Sequence, residues 1–325
     1  MRYAHSGNRG HRRGAPPRTA PVTPPLTILL TGATGYVGGQ LLPVLLEAGH
    51  HVRCLVRDAS PQRRSRFPEQ VEVVEGDVLT GTGLDAALDG VDAAYYLVHS
   101  MGRGSGSTSS FADRDKRAAD TFGRAAAQAG VDRVVYLGGL EGGDTEDSEH
   151  LRSRADTAVA LRRHVPGVVH VRAAMVIGAG SASFEILSHL ARRLPVMLTP
   201  RWVETRSQPV AIADVTATLA RLATWEDPPA EVELGGADVL SYREMMRRFA
   251  DVADRRPPTI VPIPVMTPRL SSYWVSLFTP IETGLVRPLV DGLSAETVVR
   301  RPPPAGLNDA PLGFDAAVRA ALQEA

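Results

Sequence analysis

Lysine and cysteine are almost missing from this chain, and each shortage excludes something. Cys54 is the only cysteine in 325 residues, so no disulfide can form within the chain and a reducing, cytoplasmic setting is expected. Lys116 is the only lysine; arginine carries the rest of the strong positive charge and does not shed it near neutral pH. Neither sign of charge predominates, with 36 basic against 36 acidic residues. That balance sets up no field for nucleic acid or an anionic membrane, and neither is expected as a partner. No run approaches the roughly 18 consecutive apolar residues of a membrane span, so stable insertion is not expected. The apolar stretch 270–290 is broken by prolines and charges and reads as a buried helix pair, with surface membrane contact as the alternative. No His, Cys, Asp and Glu fall at metal-ligand spacing, so no metal is expected. No Gly-x-Ser-x-Gly elbow follows a strand.

What is present is ordinary for a globular protein: 43% hydrophobic and 22% charged residues. Residues 1–25, rich in arginine, proline and glycine, read as a disordered tail. The Arg12-Arg13 pair is followed by Gly-Ala-Pro-Pro, not by an apolar core, so export is not expected. From Leu26 onward, short apolar runs alternate with helical patterns. Strands are expected at 26–31, 51–57, 71–76, 92–98, 133–137 and 168–172. Helices are expected at 36–48, 84–88, 111–129 and 151–164. Runs such as TILL and AAYYLV, apolar on both faces, suit a parallel sheet covered on both sides. The expected fold is α/β, a Rossmann-type doubly wound parallel sheet in the order 3-2-1-4-5-6. This domain spans 26–178. Residues 179–325, interleaved with the sheet, form a smaller, mostly helical portion that caps the substrate side. Its helices are expected near 182–193, 214–224, 241–254 and 314–324, with Asp214 as an N-cap.

The strongest motif is Thr31-Gly32-Ala33-Thr34-Gly35-Tyr36-Val37-Gly38, between the first strand and an amphipathic helix. Glycines allow a tight turn and a close approach of backbone to a pyrophosphate, and the helix N-terminus adds partial positive charge. The motif assigns Thr31, Gly32, Thr34, Gly35, Tyr36, Val37 and Gly38 to a dinucleotide. Arg57 closes the second strand, where a carboxylate would select NAD(H) and an arginine suits a 2′-phosphate. NADP(H) is therefore the preferred cofactor, with NAD(H) possible. Asp77 and Val78, after the third strand, are expected beside the adenine.

These elements resemble the atypical short-chain dehydrogenase/reductase superfamily in its NmrA-like branch, and more narrowly the YbjT-like bacterial NAD(P)-binding proteins. The resemblance runs from Thr27 to the C-terminus. It rests on TGATGYVG, GDV at Gly76–Val78, YYLVHSMG, VIGAGSASFEIL and TPRWVETRSQPVAIADV. It implies a Rossmann domain, a nicotinamide cofactor and a C-terminal portion that shapes a substrate pocket. Leu97, Val98 and Ser100, at the end of strand four, would lie along the cofactor.

Classical members of that superfamily use Ser, Tyr and Lys, and this chain lacks all three in place. Ala112 stands four residues before Lys116, and strand five ends Leu137-Gly138-Gly139 where serines are typical. Two readings of this loss stay open. In one, His150 and Arg154 take the lost pair's i, i+4 spacing, or His99 at the end of strand four serves the proton. In the other, the site has lapsed and His150 is a solvated residue at an acidic helix start. Glu185, Arg201, Trp202 and Arg206 are the expected substrate-side residues, domain packing being the alternative for the last three. Three functions follow: an NADP(H)-preferring reductase of a small carbonyl or quinone, a dinucleotide-binding sensor or scaffold, or a non-redox enzyme performing cyclisation or elimination. Oligomeric state is not readable.

Overall fold

The computed structural model describes residues 24–99, 108–140, 149–193, 196–199, 201–262 and 295–324. The tail through residue 23, the stretch 270–290 and the segment 100–107 lie outside them. In chain order the first half runs β1 (Thr27–Thr31), α1 (Tyr36–Glu47), β2 (His51–Val56), α2 (Pro61–Arg64), β3 (Glu72–Glu75) and α3 (Leu84–Leu88). It continues with β4 (Ala93–Tyr96), α4 (Thr108–Gln128), β5 (Val134–Gly139), α5 (Glu149–Arg162) and β6 (Val168–Ala173). The second half has β7 (Val176–Ile177), α6 (Ala182–Arg193), β8 (Val196–Thr199), a 3₁₀ turn (Arg201–Glu204), β9 (Arg206–Ser207), β10 (Val210–Ala211) and α7 (Ile212–Thr224). It closes with β11 (Glu231–Leu234), β12 (Leu240–Ser241), α8 (Tyr242–Val252), β13 (Thr259–Pro262) and α9 (Phe314–Glu324).

Seven parallel strands form the main sheet in the order β3-β2-β1-β4-β5-β6-β11. The order reverses between β1 and β4, which makes their carboxyl ends the switch point where ligands bind in open α/β sheets. Both faces of the sheet are apolar because both are covered. Ile28, Leu30 and Val135 pack with α1 and α7 on one face. Leu29, Tyr96 and Tyr136 pack with α3, α4 and α5 on the other. Each fully buried side chain of this size stabilises by roughly 1.5–3 kcal/mol. The central strands are thereby the least able to shift.

The seventh strand departs from the expected six. β11 reads EVEL, and its glutamates face arginines across the edge: Arg172 Nη2 lies 3.0 Å from both Glu231 Oε2 and Glu233 Oε1. The backbone amides of Arg300 and Arg301 donate to Glu233 Oε2 at 2.6 and 2.9 Å, tying the chain after residue 295 to the sheet. A third core gathers α6, α8 and α9 around Phe184, Met245, Phe249 and Phe314. Ser241 and Glu244 form a reciprocal capping box at α8, a device worth about 1 kcal/mol. Asp214 is not the expected cap. Ala211 is the N-cap of α7 and provides no side-chain cap, and Asp214, in the first turn, accepts from Leu312 N at 2.9 Å. The strand pair β7–β10 delivers the chain to the helix already in place, so a capping side chain has no work there.

Candidate cofactor and active site

The loop from β1 to α1 is built on backbone proximity. Gly32 sits at φ +75°, and a Cβ there would lie 2.6 Å from the Leu97 carbonyl oxygen. A Cβ on Gly38 would lie 2.3 Å from the Gly32 carbonyl oxygen. Gly35 N donates back to Gly32 O at 2.9 Å, closing the turn. Gly35 is the N-cap of α1 and no side chain caps that helix. The first-turn amides of Tyr36, Val37 and Gly38 therefore have no intrahelical acceptor, which is the donor set an anionic diphosphate needs. The absence of side-chain bulk at Gly32, Gly35 and Gly38 and the amide donors together fit a dinucleotide.

Thr31 and Tyr36 have duties inside the fold. Thr31 is fully buried; its hydroxyl donates to Tyr95 O at 2.9 Å and accepts from Leu97 N at 3.2 Å, locking β1 to the end of β4. Tyr36 turns its hydroxyl toward Gly178, where a Cβ would come within 2.0 Å of it. That hydroxyl is buried without a hydrogen-bond partner among the described residues. Burial first, then Glu324 and Glu185, push its phenol up to about 12. Thr34 is exposed on the turn.

At the end of β2, Arg57 is exposed, and among the described residues it has no ion-pair partner. The neighbouring Asp58 is already engaged, accepting from Ser60 N at 2.9 Å and pairing with Arg63 at 2.9 Å. Past β3, Asp77 accepts from Leu79 N at 2.7 Å through one carboxylate oxygen, and Val78 is buried.

The third convergence sits at the carboxyl ends of β4 and β5. Leu97 and Val98 lead from β4 into His99, whose side chain is 15% exposed. His99 Nδ1 lies 3.1 Å from Asp115 Oδ2 on α4, and the Asp115 side chain is itself 8% exposed. From α5, Arg154 Nη1 donates to Leu137 O at 3.4 Å. Arg154 is close enough that its charge acts on His99. Burial first, and then Arg154, hold the imidazole below its ordinary range, while the Asp115 hydrogen bond pulls the other way. Two residues expected from the sequence, His99 and Arg154, are thus linked through the electrostatics of this edge. Asp115, which lies in the charged run ADRDKR, was not among the expected site residues.

Residues 32–166 match the family model for NAD(P)H-binding proteins. That stretch is an NAD(P)H-binding domain. The chain is 29% identical over 266 residues to the ceramide reductase of Caulobacter vibrioides, covering 79% of this chain and 81% of that protein. Over 116 residues it is 33% identical to a 3β-hydroxysteroid dehydrogenase/Δ5→4-isomerase of Mycobacterium tuberculosis, covering 34% of this chain and 30% of that protein. Among solved structures, the triphenylmethane reductase of Citrobacter sp., complexed with NADP(H), superposes with a TM-score of 0.70 at 18% identity, covering 91% of this chain and 99% of that one. At that identity the likeness establishes the fold.

The stretch that the family model matches ends before the expected substrate-side residues. Glu185 stands in the first turn of α6; it accepts from Gly180 N at 3.3 Å and lies 3.7 Å from His189 Nδ1. Trp202 is half-buried and meets Tyr242 edge-on at 5.7 Å. Its indole Nε1 is buried without a hydrogen-bond partner among the described residues. Arg206 is exposed on β9, and Arg201 opens the 3₁₀ turn. Ser100 lies outside the described residues. His150 falls in the first turn of α5, and its side chain lies outside them too. Among the described residues, no helix is long and apolar enough to cross a membrane and no cluster of three or more His, Cys, Asp or Glu is placed to hold a metal ion.

Proposed function

We propose that this chain is an NADP(H)-preferring reductase of a small carbonyl or quinone-like substrate, an atypical, NmrA-like member of the short-chain dehydrogenase/reductase superfamily that works without Ser, Tyr and Lys. The observation that carries the reading is the side-chain-free turn at Gly32, Gly35 and Gly38, set against uncapped amides of α1 and against the His99 edge of β4. Relatives named as reductases and dehydrogenases support it. Tyr36, Val37 and Gly38 would hold the diphosphate through their amides, and Arg57 the 2′-phosphate. Bound NADPH supplies a hydride equivalent. The chain's own part is to orient the acceptor and provide a proton, and His99, His150 and Arg154 stand on the two elements flanking that edge. The portion 179–325, with Glu185, Arg201, Trp202 and Arg206, forms the substrate side. A single buried thiol, Cys54, suits a cytoplasmic setting.

The test is a calorimetric titration with NADPH and NADH, followed by oxidation of bound NADPH by 2,3-hexanedione and by menadione. NADPH should bind more tightly than NADH, and Arg57→Ala should cost NADPH about 1.5–3 kcal/mol, the scale of a charge-assisted hydrogen bond, while leaving NADH nearly unchanged. Equal affinities, or equal losses for both nucleotides, would remove Arg57 as the discriminating residue. Tight binding with no oxidation by any carbonyl or quinone would favour a sensor.

A further inference from the structure

We propose that Asp115 is a positioning residue that holds His99 as the proton-transfer group of this site, replacing by an Asp–His pair what the missing Tyr and Lys supply elsewhere. The inference rests on the reductase reading above and names a residue which that reading leaves without a role. Three elements build the pair. β4 leads into His99 just past Leu97, whose carbonyl lies against Gly32 of the glycine turn. α4 brings Asp115 from the far face of the sheet, 3.1 Å from His99 Nδ1. α5 sets Arg154 against the Leu137 carbonyl of β5, from where its charge acts on the imidazole.

Each contact has a chemical consequence. As a carboxylate Asp115 only accepts, which puts the proton on Nδ1 and makes Nε2 the exchanging nitrogen. A carboxylate that fixes the tautomer and orientation of a histidine base is the arrangement seen in hydrolytic triads, and it stabilises the doubly protonated ring when that forms. A buried carboxylate is costly unless paired, so its place next to a buried imidazole calls for a partner of this kind. Two charged groups face the ring among the described residues, Asp115 from α4 and Arg154 from α5. The Tyr96 hydroxyl lies within the field of Asp115, and burial first, then that charge, keeps its phenol protonated.

The step balances as follows. The carbonyl carbon gains the hydride with its electron pair, the C=O π pair moves to oxygen, and oxygen takes the proton from His99 Nε2. Bound NADPH would supply the reducing equivalent, and the imidazole recovers a proton from water. Because burial and Arg154 depress the His99 pKa, the doubly protonated ring is scarce above neutrality. The reduction should therefore run faster at pH 5.5 than at pH 7.5.

Long-range ¹⁵N–¹H spectra of imidazole-labelled full-length protein read the tautomer without any turnover. The expected wild-type His99 is protonated at Nδ1 and unprotonated at Nε2 at neutral pH. Asp115→Asn should change that pattern, move the pH limb of kcat for 2,3-hexanedione, and lower kcat by about 10²-fold or more with NADPH affinity within twofold. Asp115→Glu should restore part of the rate. An Nε2-protonated wild type, or an Asp115→Asn protein with unchanged His99 signals or unchanged kcat, overturns the proposal. Should Asp115→Asn fail to fold, His99→Gln carries the kinetic arm, and retained kcat there overturns it equally. A wild type that reduces no carbonyl, while its His99 tautomer still responds to Asp115, refutes the reductase reading and with it the catalytic duty, but leaves the pair itself established.

Discussion

Replacing Gly38 by alanine should damage both the fold and cofactor binding, whereas the same change one residue later should do neither. A Cβ on Gly38 would lie 2.3 Å from Gly32 O, 2.8 Å from Gly32 C and 3.0 Å from Ala33 Cα. All three are backbone atoms of the phosphate turn, so no side chain can rotate away and the turn itself must move. Forcing one methyl group into a packed site costs about 1–3 kcal/mol, and a purely backbone clash belongs at the upper end. The displaced turn also withdraws amide donors from the diphosphate, each worth about 1.5–3 kcal/mol against a charged acceptor. Loss of one such bond weakens binding by roughly 10- to 150-fold. Gly39 is the internal control: it is exposed on α1, and its added Cβ would only touch Ala33 O at 3.6 Å. Gly39→Ala should gain about 0.5–1 kcal/mol from helix propensity. Thermal unfolding with and without NADPH, together with a calorimetric titration, reads all four quantities. A Gly38→Ala protein with wild-type melting temperature and wild-type NADPH affinity would refute the reasoning.

Gly178→Ala should destabilise by about 1–3 kcal/mol, because its Cβ would lie 2.0 Å from the Tyr36 hydroxyl and 2.7 Å from Ile212 Cγ2; Tyr36→Phe in the same chain should relieve the first contact and recover only part of the loss in a denaturant titration. Tyr36→Phe alone should be neutral or stabilising, because it removes a buried hydroxyl with no partner. Glu233→Gln should cost about 2 kcal/mol, since its carboxylate takes two backbone amides and Arg172. Burial raises that carboxyl, but the Arg301 and Arg300 amides and Arg172 outweigh it and hold it low. Its stabilisation is present above the unfolded glutamate range and lost as pH falls through the lower folded value, so the mutant should lose Glu233's share of the wild type's acid-side slope. His170 is lowered to about 3, by burial first and then by Arg162 and Arg172. The unfolded chain takes up this proton near pH 6.5 and the folded one near 3, so stability attributable to His170 falls as pH drops across that window. His170→Leu should flatten this part of the wild-type profile in urea melts.

Much of the scaffold was legible because it depends on local pattern. Strands such as TILL and AAYY bury side chains on both faces, and only a covered parallel strand rewards that composition. The phosphate turn was legible for a similar reason, since its glycines answer a geometric demand that shows in spacing. β11 was not: its two glutamates make EVEL look like a solvent-facing segment, and only the arginines of β6 and the C-terminal segment explain them. Asp115 was hidden in the same way. In ADRDKR it looks like one acid in a solvated helix face, and Lys116 beside it is indeed exposed. The packing of α4 on the sheet, through Ala118, Ala119 and Phe122, turns Asp115 inward to meet His99. The expected cap at Asp214 fails because a strand pair, not a side chain, starts α7. Tyr36 lies in the phosphate motif, yet its ring is committed to Gly178 and Gly180, a long-range contact that spacing does not encode.

The most direct measurement is a crystal structure of the chain with NADPH. The diphosphate should lie on the amides of Tyr36, Val37 and Gly38, the 2′-phosphate against Arg57, and the nicotinamide over the ends of β4 and β5 with His99 within hydrogen-bond reach of an acceptor placed at C4. A nucleotide bound away from the glycine turn, or a nicotinamide that His99 cannot serve, would contradict the account.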